Sequence, residues 1–230
     1  MNVIRQELTS RRSEIDEFLD VLGKFEDGTY LVSHQNNLLI YPLRARITQK
    51  SCAVLLLYNV VESIVTKVLI RIHEVVISEN VGYFDLNPNI RDLTLVYFNS
   101  VMSKTNDFHE ALPFVRGLIQ MLTSNYHFHI PYKEMEKYYS LYSGNLDSKK
   151  IGDTLEKYGV DFRKPVRELQ TVKNGRNKLA HGEVSFEEYG RDLSMQQINV
   201  LKVKIFEFLD EMISNVDNFI LTKAYKSSMA

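Results

Sequence analysis

The stretch 43–78 constrains the fold of this chain more than any other feature of its sequence. Apolar side chains occupy nearly every face of the helix that this stretch predicts. The charged positions in its second half are Glu62, Lys67, Arg71 and Glu74. A helix that is apolar on most faces must be packed on most sides. The sequence therefore predicts that other helices surround this one at the centre of a bundle.

The most apolar part of this helix, residues 51–61, lies between Lys50 and Glu62 and is too short to span a bilayer. The N-terminal residues lack the apolar core of a signal peptide. The single cysteine, Cys52, excludes an intramolecular disulfide and indicates a reducing compartment. We therefore expect a cytoplasmic protein that has no membrane among its partners.

Helical periodicity also dominates the two ends of the chain. Residues 2–22 and a helix that starts near Ser194 both carry apolar stripes at helical spacing. The chain has 10 Gly and 5 Pro, which is too few for an all-β fold with many turns. The sequence predicts an all-α fold, an antiparallel helical bundle over residues 41–230 with an extra N-terminal helical arm at residues 1–40.

The stretch 163–182 predicts a helix at residues 165–181, with Pro165 in its first turn and Gly182 at its end. The same stretch carries a local excess of positive charge. From Arg163 to Lys178, both included, the chain has six basic residues and one acidic residue. The whole chain has a net charge of −1, so any attraction for nucleic acid must come from such a local patch. Charge runs are usually solvated helix surfaces, but this one also fits a strip of phosphate contacts. The residues assigned to this RNA-binding strip are Arg163, Lys164, Arg167, Lys173 and Lys178.

Arg176, Asn177 and His181 add the groups that metal-independent RNA cleavage needs. On a helix, Asn177 and His181 share one face and Arg176 lies on its flank. An imidazole can remove the proton of a ribose 2′-OH, and a guanidinium can stabilise the charge of the transition state. An asparagine can orient either group. The chemistry needs more than one acid–base group, so we expect a two-fold homodimer to complete the site.

These residues resemble the signature of the HEPN superfamily (higher eukaryotes and prokaryotes nucleotide-binding). In RNKLAHG, residues 176–182, an Arg–Asn pair precedes a His at the spacing typical of that superfamily. LLLYNVVES (55–63) and SGNLDSKKIGDTLEKYGV (143–160) resemble the first core helix and the middle region of a bacterial clade. That clade is found in defence and toxin–antitoxin loci. The resemblance covers about residues 40–220.

The resemblance implies a dimeric helical bundle with Arg176 and His181 as the catalytic pair and Asn177 as an accessory polar residue. It implies a metal-independent endoribonuclease without cofactors that leaves 2′,3′-cyclic phosphate ends. Such proteins act as toxins or antiviral defence effectors, restrained by an antitoxin or another partner protein. Glu62 lies where many members carry an acidic residue that faces the active cleft. One toxin subgroup is controlled through a modified Tyr two residues after the His, and Glu183 in that position argues against such control here.

Two other interpretations of the same residues stay open. In the first, a non-catalytic HEPN module binds RNA, a nucleotide or a partner protein, so the basic strip matters and His181 does not. In the second, the chain is a purely structural bundle. Arg176 would then pair with a carboxylate of its own chain, and His181 would be buried and hydrogen-bonded.

The other histidines and the cysteine are predicted to be structural. His127 and His129 lack further metal ligands nearby in the sequence, so no metal site is expected. His73 lies in the central helix and is predicted to be a hydrogen-bonded core residue. Cys52 opens an apolar run and has no partner for nucleophilic catalysis, which indicates a small core residue.

Overall fold

The computed structural model describes residues 1–30, 32–34, 37–104, 108–123, 127–142 and 144–227. Within these ranges the chain forms nine α-helices, one 3-10 turn and one β-hairpin, which confirms the predicted all-α class. The helices are α1 (Asn2–Glu26), α2 (Leu43–Ser78), α3 (Pro88–Lys104), α4 (Phe108–Thr123), α5 (Tyr132–Tyr138), α6 (Ser148–Glu156), α7 (Arg167–Ala180), α8 (Phe186–Arg191) and α9 (Met195–Leu221). The hairpin pairs strand β1 (Val32–His34) with strand β2 (Asn37–Leu39) in antiparallel fashion.

Helix α2 lies at the centre of the bundle, as predicted. It packs against α1, α7, α8 and α9, and Val54, Leu57 and Ile64 on it are fully buried. In the described ranges, α2 is the one helix that is long and apolar enough to cross a membrane. The prediction that residues 51–61 are too short to span a bilayer therefore does not apply to α2 as a whole. The apolar character of α2 is instead explained by the helices that surround it.

Helix α1, the predicted N-terminal arm, packs along α2 and α9 and does not extend away from the bundle. Its buried side chains are Ile4, Leu8, Ile15, Leu19 and Leu22. The Arg12 guanidinium lies 4.8 Å from the centre of the Phe206 ring and forms a 2.6 Å ion pair with Asp210. Helix α1 is thus a layer of the same core. The predicted domain boundary at residue 40 stays a prediction.

The short helix α8 was not predicted from the sequence. It begins at a capping box, in which the side chains of Ser185 and Glu188 each accept a hydrogen bond from the other residue's backbone N–H. Gly190 lets α8 approach α2 very closely, because a Cβ atom there would lie 2.0 Å from the Ile47 carbonyl oxygen. A helix of this length is stabilised by such packing rather than by its own propensity.

Gly190→Ala should therefore destabilise the protein. The added methyl group meets backbone that cannot move aside, so we expect the free energy of unfolding to fall by about 1–3 kcal/mol in urea denaturation. Gly23→Ala is the matched control. A Cβ atom there would meet only the Met195 Cε atom at 4.0 Å. In a helix, alanine is also favoured over glycine by about 1 kcal/mol. Equal stability of Gly190→Ala and wild type would contradict the close packing of α8.

His73 joins α2 to two other parts of the fold. It is 2% exposed, and its Nδ1 and Nε2 atoms lie 2.7 Å from the Ile130 carbonyl oxygen and 2.8 Å from the Tyr158 hydroxyl. A carbonyl only accepts, so Nδ1 donates to it and Nε2 of the neutral ring accepts from Tyr158. Burial lowers the pKa of His73 from 6.5 to about 4. The prediction of a hydrogen-bonded core histidine is confirmed.

This histidine should make the protein less stable in mild acid. Between pH 6.5 and about 4, the unfolded chain binds a proton at His73 that the native ring does not. The free energy of unfolding should therefore fall as the pH falls through this range, with a contribution of at most about 1.4 kcal/mol per pH unit. Urea denaturation at several pH values should show a smaller slope for His73→Gln and an unchanged slope for the exposed control His127→Gln. Equal slopes for all three proteins would contradict this account.

Candidate active site

Helix α7, which carries the predicted catalytic residues, begins at Arg167. The prediction that Pro165 occupies its first turn is wrong. Val166 is extended, with φ −130° and ψ 108°, and its N–H donates to the Ser148 hydroxyl at 3.1 Å. This hydrogen bond ties the connection before α7 to α6, and the extended backbone of Val166 sets the start of the helix at Arg167.

The C-terminal end of α7 is closed by a Schellman motif. Gly182 has φ +70°, and its N–H donates to the Leu179 carbonyl at 3.3 Å. The N–H of Glu183 donates to the Lys178 carbonyl at 2.9 Å. The predicted stop at Gly182 is thereby confirmed. His181 is the last residue before this glycine, and its side chain is exposed at the end of the helix.

Three side chains from two segments, α7 and the turn at Asn145, form a hydrogen-bonded chain beside α2. Arg176 Nη1 donates to Asn177 Oδ1 at 3.1 Å, and Asn177 Nδ2 donates to Asn145 Oδ1 at 2.7 Å. The Arg176 guanidinium lies 5.2 Å from the centre of the Tyr58 ring, a cation–π contact. In the described part of the chain no carboxylate forms an ion pair with Arg176. Together with the exposure of His181, this removes the support for a purely structural bundle.

Tyr58 and Glu62 form the α2 side of this cluster. The Tyr58 hydroxyl donates to the Gly144 carbonyl at 2.5 Å and accepts from the Leu146 N–H at 3.0 Å. Burial raises the pKa of Tyr58 to about 12, and the nearby Glu62 carboxylate adds to this rise while Arg176 opposes it. A Cβ atom at Gly144 would lie 3.7 Å from Glu62 Oε1. Glu62 and Arg176 thus both lie close to Tyr58, and Glu62 lies beside the turn at Gly144.

A family model, described as HEPN_MAE_28990-like HEPN, matches residues 2–225. The chain belongs to the HEPN superfamily. The match includes α1 as well as α7, so both the docked N-terminal helix and the Arg–Asn–His helix lie inside the matched family region. No similar curated protein and no similar solved structure was found. HEPN modules are often ribonucleases or nucleotide-binding domains.

Three of the five residues in the RNA-binding strip predicted for this HEPN module are already paired with carboxylates. Lys173 pairs with Asp147 at 2.7 Å, and the two side chains are only 17% and 18% exposed. Arg163 pairs with Glu156 at 2.5 Å on α6. Lys164 pairs with Glu211 on α9.

Arg167 and Lys178 are the remaining members of the strip. Both are exposed on α7, and neither has an ion-pair partner among the residues that the structure describes. The strip is therefore not a continuous row of unpaired cations. It is reduced to two positions, one at each end of the helix.

Sequence reasoning missed Tyr58 and Asn145. Tyr58 lies inside the segment 55–63, where it was interpreted only as one of the apolar residues of the central helix. Its spacing of four residues from Glu62 was a usable signal, because both then lie on one face of α2. Asn145 is 32 residues away from Asn177 and had no local signal. Ser143, two residues before it, lies outside the described residues.

Among the described residues, no group of three or more His, Cys, Asp or Glu side chains is arranged to hold a metal ion. His127 is exposed and forms a backbone bridge with Gly82. Cys52 is half-buried, and burial raises the pKa of its thiol.

Proposed function

We propose that this HEPN module is a metal-independent endoribonuclease in which Arg176 and His181 act with their copies in a homodimer. The observation that carries the proposal is how these two side chains are placed and which partners they have. Arg176 is held by an aromatic ring and an amide, with no ion-pair partner in the described ranges, so its charge remains available to a phosphate. His181 is exposed at the end of the same helix.

The proposed reaction uses one imidazole as base and the other as acid. His181 of one protomer removes the proton of a ribose 2′-OH, and the oxygen attacks the adjacent phosphorus. The 5′-oxygen of the next nucleotide leaves with a proton from His181 of the second copy. The products are a 2′,3′-cyclic phosphate and a 5′-hydroxyl. Arg176 stabilises the negative charge on the phosphate oxygens, and Asn177 orients the guanidinium.

The cellular role we propose is that of a toxin or antiviral defence effector that acts in the cytoplasm. It is supported by the resemblance of segments 55–63 and 143–160 to a clade from defence and toxin–antitoxin loci. RNA is the proposed substrate, and an antitoxin or another defence-system protein is the proposed inhibitory partner. Glu62 is proposed to face the cleft, because its carboxylate lies beside the turn that contacts Tyr58.

One observation favours a second candidate function. In the described part of a single protomer, the His181 side chain has no hydrogen-bond partner that would orient it as a base. A non-catalytic HEPN module that binds RNA, a nucleotide or a partner protein would need no such orientation.

Cleavage of total cellular RNA in excess EDTA separates the two candidates. The wild type should cut RNA and leave 2′,3′-cyclic phosphate ends. His181→Ala should lower the rate by roughly a hundredfold to ten-thousandfold, because a general base is lost. Arg176→Ala should lower it by roughly a hundredfold or more, because the transition-state charge loses its cation.

His127→Ala is the control for the first variant, since it removes an exposed histidine from another part of the fold. It should cleave like the wild type. If wild type and His181→Ala are equally inert while folded and dimeric, the non-catalytic module becomes the better account. If both cleave equally, the assignment of the site to His181 is wrong.

RNA binding should depend on the unpaired members of the basic strip. In the non-cleaving His181→Ala background, Lys178→Gln and Arg167→Gln should each reduce the salt dependence of binding by about one counterion. Lys173→Gln should leave that slope unchanged, because its charge is already neutralised by Asp147. Titrations at several salt concentrations would measure this. A reduced slope for Lys173→Gln alone would contradict the assignment.

A further inference from the structure

We propose that Tyr58 and the turn at residues 144–146 form a positioning device for Arg176 and Asn177, a role that rests on the proposed ribonuclease function. In this device the Tyr58 ring supports the guanidinium. The Tyr58 hydroxyl holds the turn, and Asn145 on that turn fixes Asn177. Neither Tyr58 nor Asn145 is expected to transfer a proton, so both are positioning residues.

Tyr58 contacts both halves of the device at once. It is 1% exposed, so its ring is fixed by the packing of α2. The ring lies under the Arg176 guanidinium, 5.2 Å from ring centre to Cζ. The hydroxyl bridges the turn, because it donates to the Gly144 carbonyl and accepts from the Leu146 N–H. One rigid side chain on the central helix therefore fixes α7 and the turn relative to each other.

The hydrogen-bonded chain has only one possible direction. A guanidinium cannot accept a hydrogen bond, so the amide group of Asn177 must present its oxygen to Arg176. Its NH₂ group must then donate to the amide oxygen of Asn145. This leaves the NH₂ group of Asn145, an exposed residue, outside these two hydrogen bonds. Asn145 thus acts on Arg176 only through the orientation of the Asn177 amide.

The device matters because an arginine side chain has many rotamers in water. Catalysis by a cation depends on its being held where charge develops, before the substrate arrives. The planar guanidinium stacks on aromatic faces, and Tyr58 uses this property without neutralising the charge. A carboxylate partner would hold the side chain equally well but would compete with the phosphate.

The first arm of the test is kinetic. Tyr58→Phe keeps the ring and loses the bridge to the turn, whereas Asn145→Ala keeps the bridge and loses the amide. Each should lower kcat by about tenfold with KM unchanged, less than the hundredfold or greater loss expected when a charge-stabilising donor itself is removed. The double variant should be no slower than either single one, because both changes break the same chain. Additive losses would overturn the proposal.

The second arm observes the guanidinium directly and does not need activity. NMR of the Arg176 side chain, assigned with Arg176→Lys, should show slow rotation about the Nε–Cζ bond in the wild type. Tyr58→Leu removes both the ring face and the hydroxyl, so this rotation should become fast. Unchanged rotation in Tyr58→Leu would overturn the proposal. Slow wild-type rotation in a protein that cleaves no RNA would support the positioning device and count against the ribonuclease function.

Tyr158→Phe is the matched control for stability. It also removes a buried tyrosine hydroxyl, but the one that bonds to His73 rather than to the turn. It should lower the denaturation midpoint and leave kcat and the Arg176 signals unchanged. If Tyr158→Phe lowers kcat as much as Tyr58→Phe does, the effect reflects general stability and the positioning role is contradicted.

Discussion

The burial of α2 on nearly all sides is the constraint on which the rest of the structure depends. Its apolar side chains can leave water only if other helices cover them, and α1, α7, α8 and α9 do so. This covering fixes α7 against the middle of α2, where Tyr58 lies. The candidate site is therefore located by the same packing that forms the core.

The candidate site combines a rigid support with an exposed imidazole. Arg176 lies over a buried ring on the central helix, while His181 ends α7 in a position open to solvent. Held cations suit charge stabilisation, and accessible imidazoles suit proton transfer to and from a substrate. A single protomer supplies one such set. This is why the proposed reaction depends on a second copy of the chain.

The sequence predicted the features that depend on local pattern. The bounds of α2 and the stop at Gly182 follow from periodicity and glycine, and both are confirmed. Helix α8 was not predicted, because tertiary contacts such as the close approach at Gly190 stabilise so short an element. The same dependence on residues distant in sequence explains why the ion pairs of the basic strip were not predicted. Lys164 finds its carboxylate at Glu211, 47 residues away, where no local pattern indicates it.

The completion of the site across a dimer is tested most directly by mixing subunits. Wild-type and His181→Ala chains would be exchanged at constant total concentration, and RNA cleavage would be measured against the wild-type fraction. If each site needs both histidines, activity follows the square of that fraction, so an equal mixture retains about a quarter of it. Mixing with His127→Ala should leave activity unchanged. A linear decrease with the His181→Ala fraction would show that each protomer acts alone and would contradict the composite site.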